Sequence, residues 1–160
     1  MIAEDASPLL ALNSIPEVVR YTGDTPTSTL EDAMKLITDT SQPQFQKYKM
    51  GRFTVSLHDG TFLGWCGLKY FPEDQEVDLG YRLHPRYWGQ GFATEASLAS
   101  LTYGFGELKL KRIVARAMPA NTASIKVLQK LKMTFRGLDS NPRTPRGLVL
   151  YDLEAREFMK

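Results

Sequence analysis

The chain has 160 residues, of which 42% are hydrophobic and 24% charged, and its formal net charge is +2. This length and composition predict one globular domain over residues 1–160, large enough to bury a hydrophobic core. The small net charge gives no reason to expect a nucleic-acid or membrane partner, although a slightly basic protein suits an anionic cofactor.

Two further features narrow the class of protein. A single cysteine, Cys66, excludes an internal disulfide, and with only two histidines we expect no metal site. The N-terminus carries Glu4 and Asp5 instead of a basic and then apolar leader, and no apolar run approaches membrane-spanning length. We therefore expect no signal peptide and a cytoplasmic location.

Two helices are predicted in the first part of the chain. The first covers residues 5–13, with Pro8 in its first turn, where proline is tolerated. Gly23 and Pro26 mark a loop. The second helix follows the capping-box pattern Ser28-Thr29-Leu30-Glu31. Its apolar stripe falls at positions i, i+3, i+4 and i+7, namely Leu30, Ala33, Met34 and Ile37.

Three strands follow and are predicted to form an antiparallel meander. A polar connector, residues 42–50, leads to a half-buried strand in which apolar residues alternate with polar ones: Phe53, Val55 and Leu57. Asp59-Gly60 is typical of a two-residue hairpin turn. Residues 61–70 are apolar on both faces, which predicts an interior strand, and residues 76–83 form the third strand.

In the second half of the chain, the sequence pattern predicts a helix, a strand, a second helix and then two strands. The first of these helices ends near residues 104–106, and the strand covers residues 112–118. A helical crossover between two strands favours a parallel pair with a right-handed connection. Asn121 is a natural N-cap for the next helix. Residues 133–138 and 147–153 form the last two strands.

The third strand leads into a glycine-bearing turn, Arg86-Tyr87-Trp88-Gly89-Gln90-Gly91, which is followed by a helix. A strand, a turn of this kind and a helix start can direct backbone N–H groups and the positive helix end at a phosphate. Gly89 and Gly91 lack a Cβ, so the backbone can approach a ligand closely. A glycine pair at such a junction is also typical of a plain tight loop, and neither a P-loop nor G-x-G-x-x-G is present.

Residues 86–91 fit the pattern R/Q-x-x-G-x-G/A, through which the chain resembles the GCN5-related N-acetyltransferase (GNAT) superfamily. Leu79-Gly80-Tyr81 and residues 87–96 resemble the branch that acetylates ribosomal-protein N-termini. A second segment, Asn121-x-x-Ser124 followed by residues 127–135, resembles the N-x-x-S…L-x-K-L-G-F segment of these enzymes. Met133-Thr134 stands there in place of the usual glycine.

The resemblance implies an α+β fold with a mixed, mostly antiparallel central sheet flanked by helices. The family begins with a strand before its first helix, but almost nothing precedes Asp5 here. That first strand is therefore expected to be short or missing, either because it has been lost or because the sequence starts late. An exposed sheet edge left in its place would favour a homodimer.

The resemblance also implies acetyl-coenzyme A as cosubstrate, held by its diphosphate on the loop. The implied cofactor-binding residues are Leu83, Arg86, Gly89, Gln90, Gly91, Phe92, Ala93, Thr94 and Asn121. Asn121 would bond the pantetheine arm, and Ser124 would lie near the thioester sulfur. The plain alternatives are a helix cap for Asn121 and a first-turn polar residue for Ser124.

Acetyl transfer to an amine requires a base, donors for the oxyanion and help for the leaving thiolate. The candidate bases are Asp78 and Glu76, which lie two residues apart and so share one face of the strand. Backbone N–H groups near Leu83 would stabilise the oxyanion, and Ser124 would assist the thiolate. No metal is required.

We therefore predict direct attack by a primary amine, either a protein N-terminus or a small molecule, in a ternary complex. The alternative is a non-catalytic acyl-CoA-binding sensor that has the cofactor loop but no working base. Arg143 and Arg146 suit a carboxylate-bearing acceptor, but a solvated charged loop is the simpler interpretation. Cys66 lies in an apolar strand, so an inert core thiol is favoured over an acetyl-enzyme intermediate.

Overall fold

The computed structural model of the protein describes residues 1–22 and 27–158. Its α-helices are α1 (Ala6–Asn13), α2 (Pro16–Val19), α3 (Leu30–Lys35), α4 (Gln42–Tyr48), α5 (Phe92–Gly106), α6 (Thr122–Lys130) and α7 (Ala155–Phe158). A π-helical segment, Leu36–Ser41, joins α3 to α4, and 3-10 turns cover Ala3–Asp5 and Pro85–Tyr87. The strands are β1 (Arg52–Ser56), β2 (Phe62–Phe71), β3 (Glu76–Leu83), β4 (Arg112–Ala117), β5 (Thr134–Leu138) and β6 (Val149–Glu154).

The six strands form one sheet in the order β1-β2-β3-β4-β6-β5. All neighbours are antiparallel except β3 and β4, which are parallel and connected through α5. The α+β class, the meander of β1 to β3 and the parallel pair are thus confirmed. Residues 1–22 and 27–51 contain helices and turns but no strand, in agreement with the missing first strand.

Successive side chains of each strand point to opposite faces of the sheet. On one face, α5 and α6 cover the main core, which includes Cys66, Leu68, Leu79, Leu101, Phe105, Ile113, Leu128 and Leu153. On the other face, a smaller cluster of Leu9, Ala33 and Ile37 from the N-terminal helices packs with Trp65. Polar and charged residues occupy much of this second face. The candidate site lies at a gap in the sheet that connects the two faces.

The polar connector predicted over residues 42–50 is wrong, because residues 42–48 form α4. Pro43 lies in the first turn of α4, directly after the π-helical segment, which continues into α4 without leaving the helical conformation. The helix makes few apolar contacts: Phe45 is 46% exposed, and Tyr48 packs edge-to-face against Tyr70. The sequence pattern was weak because the helix buries little apolar surface and packs on the sheet mainly through partly buried aromatic side chains.

The predicted capping box is shifted by one residue. Thr29, not Ser28, is the N-cap of α3: its hydroxyl accepts a hydrogen bond from the Asp32 N–H at 3.1 Å. The Asp32 carboxylate accepts in return from the Thr29 N–H at 3.0 Å. The stripe prediction holds for the fully buried Ala33 and Ile37 and fails for Leu30, which is 52% exposed.

In the hairpin between β1 and β2, residues 58–60 form a three-residue loop between the hydrogen-bonded Leu57 and Thr61, instead of the predicted two-residue turn. Gly60 has φ of +87°, but Asp59 is not among the residues with positive φ, so the type I′ geometry is absent. The Gly60 N–H donates to the Leu57 carbonyl at 3.0 Å, and the Leu57 N–H donates to the Thr61 carbonyl at 2.9 Å.

The predicted loop at Gly23 and Pro26 lies outside the described residues. The short helices α2 and α7 were not predicted. Within residues 1–22 and 27–158, no helix combines the length and apolarity needed to span a bilayer.

Candidate active site

The candidate site begins at a gap between the two parallel strands. β3 and β4 are in register at one residue pair, Asp78 with Val114. Beyond this pair β3 continues to Leu83, still paired with β2, and β4 continues to Ala117, still paired with β6, but the described part of the chain shows no further pair between β3 and β4. The C-terminal ends of parallel neighbours lie at the same edge of a sheet. The loop before α5 and the turn before α6 therefore meet at that edge.

Backbone donors of β3 are directed into this gap. The His84 N–H donates to the Leu63 carbonyl of β2 at 2.8 Å. Because consecutive residues of a strand direct their N–H groups to opposite sides, the Leu83 N–H points toward β4. The Trp88 indole donates to the Leu83 carbonyl at 2.7 Å and ties the glycine loop to the end of β3.

The glycine loop presents a row of unused donors. Gly89 and Gly91 have φ of +75° and +96°, and Gly91 is the N-cap of α5. The first helical acceptor is the Gly91 carbonyl, which receives the Glu95 N–H at 3.0 Å. None of the six N–H groups from Gly89 to Thr94 donates to an acceptor within the described ranges. Such N–H groups at the positive end of a 15-residue helix fit an anionic diphosphate.

Ser124 and Asn121 lie at the start of α6, on the other side of the gap. The Asn121 side-chain oxygen accepts a hydrogen bond from the Ser124 N–H at 3.1 Å and caps the helix. The cap uses only the oxygen of Asn121; its amide nitrogen donates to no acceptor among residues 1–22 and 27–158. Asn121 can therefore cap the helix and still offer N–H donors to a ligand.

Tyr81 connects β3 to α6 across the gap. Its hydroxyl lies 2.7 Å from Ser124 Oγ and 3.2 Å from the Ser124 carbonyl oxygen. Burial raises the pKa of Tyr81 to about 12, although the hydrogen bond with Ser124 acts in the opposite direction. The phenol therefore stays protonated near neutral pH. The sequence analysis used Tyr81 only as part of a motif, because its strand position also suits a core residue.

A cavity of about 780 Å³ passes through this gap. Its walls come from both faces of the sheet. Tyr81, Ser124 and Asn121 line it on the side of α5 and α6, and Arg52, Trp65 and Asp78 line it on the side of α1. A thioester delivered from one face can thus meet an amine that enters from the other.

The two candidate bases share one face of β3, as the period of the strand predicts, but their surroundings differ. Asp78 lines the cavity, with Oδ1 at 2.7 Å from Arg52 Nη2 and Oδ2 at 3.8 Å from Arg116 Nη1. Glu76 is absent from the described lining of the cavity and forms ion pairs with Arg112 at 3.2 Å and Arg116 at 2.5 Å. The geometry thus gives Asp78 the freer carboxylate oxygen.

Arg52 is a site residue that the sequence analysis missed. Gly67 and Gly80 are partners across β2 and β3, and the Arg52 guanidinium lies over Gly80. It donates to the Gly67 carbonyl and, at 3.2 Å, to the Asp78 carbonyl, and it stacks over Trp65 at 5.3 Å from the ring centre. A Cβ on Gly80 would lie 2.7 Å from this guanidinium. The absence of a side chain at Gly80 thus makes room for the group that orients Asp78.

Arg143, in the loop between β5 and β6, lines the cavity but is already paired with an acidic neighbour. Arg143 Nε donates to the Asp74 carboxylate at 2.8 Å, and its Nη2 donates to the Glu73 carbonyl at 2.8 Å. These bonds neutralise the Arg143 charge and hold the loop against the β2–β3 turn. Arg146 is exposed, as the solvated-loop interpretation predicts.

Cys66 behaves as a core residue. It is 2% exposed, and its sulfur lies 3.6 Å from the hydroxyl oxygens of Ser97 and Ser100. Burial raises the pKa of the thiol, which keeps it protonated and a poor nucleophile. The expectation of an inert thiol agrees with this environment.

Comparisons with known proteins agree with the fold. The sequence profile described as "Acetyltransferase (GNAT) domain" matches residues 1–134. The N-acetyltransferase p20 of Bacillus licheniformis, whose function is uncharacterized, is 32% identical over 99% of this chain and 92% of its own length. YdaF of Bacillus subtilis, provisionally named a ribosomal N-acetyltransferase, is 28% identical over 64% of this chain and 58% of its own length. A GNAT-family acetyltransferase structure from Bacillus anthracis superposes with a TM-score of 0.80 at 25% identity, over 98% of this chain and 93% of that chain.

Proposed function

Because the chain belongs to the GNAT acetyltransferase family and is an acetyl-CoA-dependent acetyltransferase, we propose that it acetylates a primary amine by direct attack in a ternary complex. The observation that carries this proposal is the cavity through the sheet, which joins the Ser124 side of the gap to the Asp78 side. Through such a cavity the two substrates can approach the reacting carbon from opposite faces.

The cofactor roles follow from the unused donors. The N–H groups from Gly89 to Thr94 would bind the diphosphate, each charge-assisted bond contributing roughly 1.5–3 kcal/mol. Arg86 is exposed beside this loop and adds positive charge. The Asn121 amide would donate to the pantetheine arm. Acetyl-CoA supplies the activated acyl group, and these remote contacts position it.

The reacting groups lie on both sides of the gap. Asp78 would take the proton from the acceptor ammonium, directly or through water, because only the neutral amine has a lone pair. The Leu83 N–H would stabilise the oxyanion of the tetrahedral intermediate. Ser124 would donate a hydrogen bond to the leaving sulfur. Glu76, the second candidate base, is held by two arginines and serves in this scheme to anchor Arg116.

The acceptor is a primary amine whose substituent fits a cavity of about 780 Å³. This size admits either a small-molecule amine or the first residues of a peptide. The similarity to YdaF supports a peptide acceptor, since that relative carries a ribosomal N-acetyltransferase name. Both classes belong in the first assay.

The test is release of coenzyme A thiol from acetyl-CoA in the presence of a panel of N-terminal peptides, amino acids and polyamines. We expect turnover above the hydrolysis rate with at least one amine, and loss of most of it in Asp78→Asn. Asp59→Asn, a change in the exposed β1–β2 hairpin, is the matched control. Tight binding of acetyl-CoA without turnover by any amine would favour the acyl-CoA sensor instead.

A further inference from the structure

The hydrogen bond between Tyr81 and Ser124 has a direction that the chemistry of the two groups decides. A phenol is a stronger acid than an aliphatic alcohol and is therefore the better donor of the pair. Both acceptors within reach of the Tyr81 hydroxyl belong to Ser124, namely Oγ at 2.7 Å and the carbonyl oxygen at 3.2 Å. With Tyr81 as donor, the hydroxyl proton of Ser124 remains available for a third partner.

That third partner lies in the cavity. Ser124 Oγ has no other hydrogen-bond partner in the part of the chain that the structure describes, and both Tyr81 and Ser124 line the cavity. We propose that Tyr81 is a positioning residue whose hydroxyl fixes the Ser124 side chain so that the serine proton faces the thioester sulfur. The inference rests on the proposed function, in which Ser124 assists the leaving thiolate.

Tyr81 does not itself supply a proton in this arrangement. With its pKa at about 12, giving a proton to a thiolate of ordinary pKa, about 8.5, would be unfavourable by more than a thousandfold. When the carbon–sulfur bond breaks, the sulfur keeps the electron pair and accepts the hydrogen bond from Ser124. The acceptor nitrogen loses one proton to Asp78 before attack and a second when the amide forms. The second proton neutralises the released thiolate, whose ordinary pKa of about 8.5 lies above pH 7, so Tyr81 and Ser124 both end the reaction protonated.

The first test is a double-mutant cycle on kcat with Tyr81→Phe and Ser124→Ala. We expect Tyr81→Phe to lower kcat about tenfold and to leave the KM for acetyl-CoA within about twofold of the wild-type value. In the Ser124→Ala background the same change should have no further effect, because its target is gone. Tyr103→Phe, which removes a tyrosine hydrogen bond to the Lys49 carbonyl at 2.9 Å, should leave kcat unchanged.

Several outcomes overturn the inference. Wild-type kcat in Tyr81→Phe, or equal losses in both backgrounds, would reduce Tyr81 to a structural residue. A wild-type protein inactive with every amine would refute the proposed function and the inference with it. Active Ser124→Ala with unaltered kcat would refute only the role of Ser124 and the inference built on it.

A second measurement tests the inference even if the Tyr81→Phe protein does not fold. Difluorotyrosine at position 81 keeps the ring and the hydroxyl but lowers the phenol pKa. Since a tyrosinate cannot donate a hydrogen bond, kcat should fall at a lower pH than in the wild-type protein. An unchanged alkaline limb of the kcat profile would contradict the positioning role.

Discussion

Asp78 has one carboxylate oxygen bound by Arg52 at 2.7 Å and the other 3.8 Å from Arg116. As general base, it should matter most where the acceptor is an ammonium. We predict that Asp78→Asn lowers kcat/KM by about 10²-fold at pH 7 and by much less near the pKa of the amine. A pH series with the best acceptor amine measures this, with Asp59→Asn as control. Equal losses at both pH values would remove Asp78 from the base role.

The raised pKa of Tyr81 also leads to a prediction about the stability of the fold. Its pKa is 10.0 as an ordinary tyrosine and about 12 in the folded protein. A raised folded-state pKa contributes stability below pH 10 that is lost as pH rises toward 12. From pH 9 to pH 11, we expect the wild-type free energy of unfolding to fall by roughly 1–2 kcal/mol more than that of Tyr81→Phe. Urea unfolding at both pH values measures the difference, and parallel curves would contradict it.

At the scale of single residues, the sequence predicted what local chemistry decides. The glycine loop and the Asn121 cap follow from spacing and backbone requirements, and the structure shows the corresponding geometry. Arg52 and Tyr81 were missed as functional residues because their contacts depend on register. Gly67 faces Gly80 only because β2 and β3 pair as they do, and Tyr81 meets Ser124 only across the gap.

Among the helices and strands, too, some were predicted from the sequence and others were missed. Strands with clear alternation and helices with strong stripes were predicted to within a few residues. α4 was missed because Phe45 and Tyr48 bury little against the sheet, and the hairpin loop was misassigned because Asp-Gly occurs in more than one turn type. The capping box was displaced because Ser28 and Thr29 each precede an acidic residue by three positions.

The pairing of β2 with β3 leads to a prediction about Arg52. In Gly80→Ala the new Cβ would lie 2.7 Å from the Arg52 guanidinium, which must move away from Asp78. Because the clashing atoms are the end of a flexible side chain, we expect a stability change below about 1 kcal/mol. The effect should appear as a severalfold lower kcat with nearly unchanged KM for acetyl-CoA.

The control for this prediction is Gly106→Ala at the end of α5, where an added Cβ has no heavy atom within 4 Å. It should leave kcat at the wild-type value. If Gly80→Ala also retains full kcat, Arg52 does not orient Asp78 in the manner described, and an unfolded Gly80→Ala protein would contradict the predicted small change in stability.

For the whole molecule, two motifs separated by a strand–helix unit were enough to predict the fold. The glycine loop follows β3, and Asn121 follows β4, so the parallel pairing brings both to one edge of the sheet. The cavity could not be predicted, because its shape depends on where β3 and β4 separate after Asp78 and Val114 and on how α1 covers the second face. The acceptor is undetermined by sequence for the same reason.

The function proposed for this protein depends most on the loop from Gly89 to Thr94, which we propose binds the diphosphate of acetyl-CoA. Calorimetric titration of Gly89→Val with acetyl-CoA and with S-acetylpantetheine, which lacks the diphosphate, tests it most directly. Gly60→Val is the control, since Gly60 has a similar φ of +87° and likewise no heavy atom within 4 Å of an added Cβ. We predict at least a tenfold weaker Kd for acetyl-CoA in Gly89→Val, corresponding to loss of about one charge-assisted bond, and unchanged S-acetylpantetheine binding. Wild-type affinity for acetyl-CoA in Gly89→Val, or an equal loss for both ligands, would contradict the account.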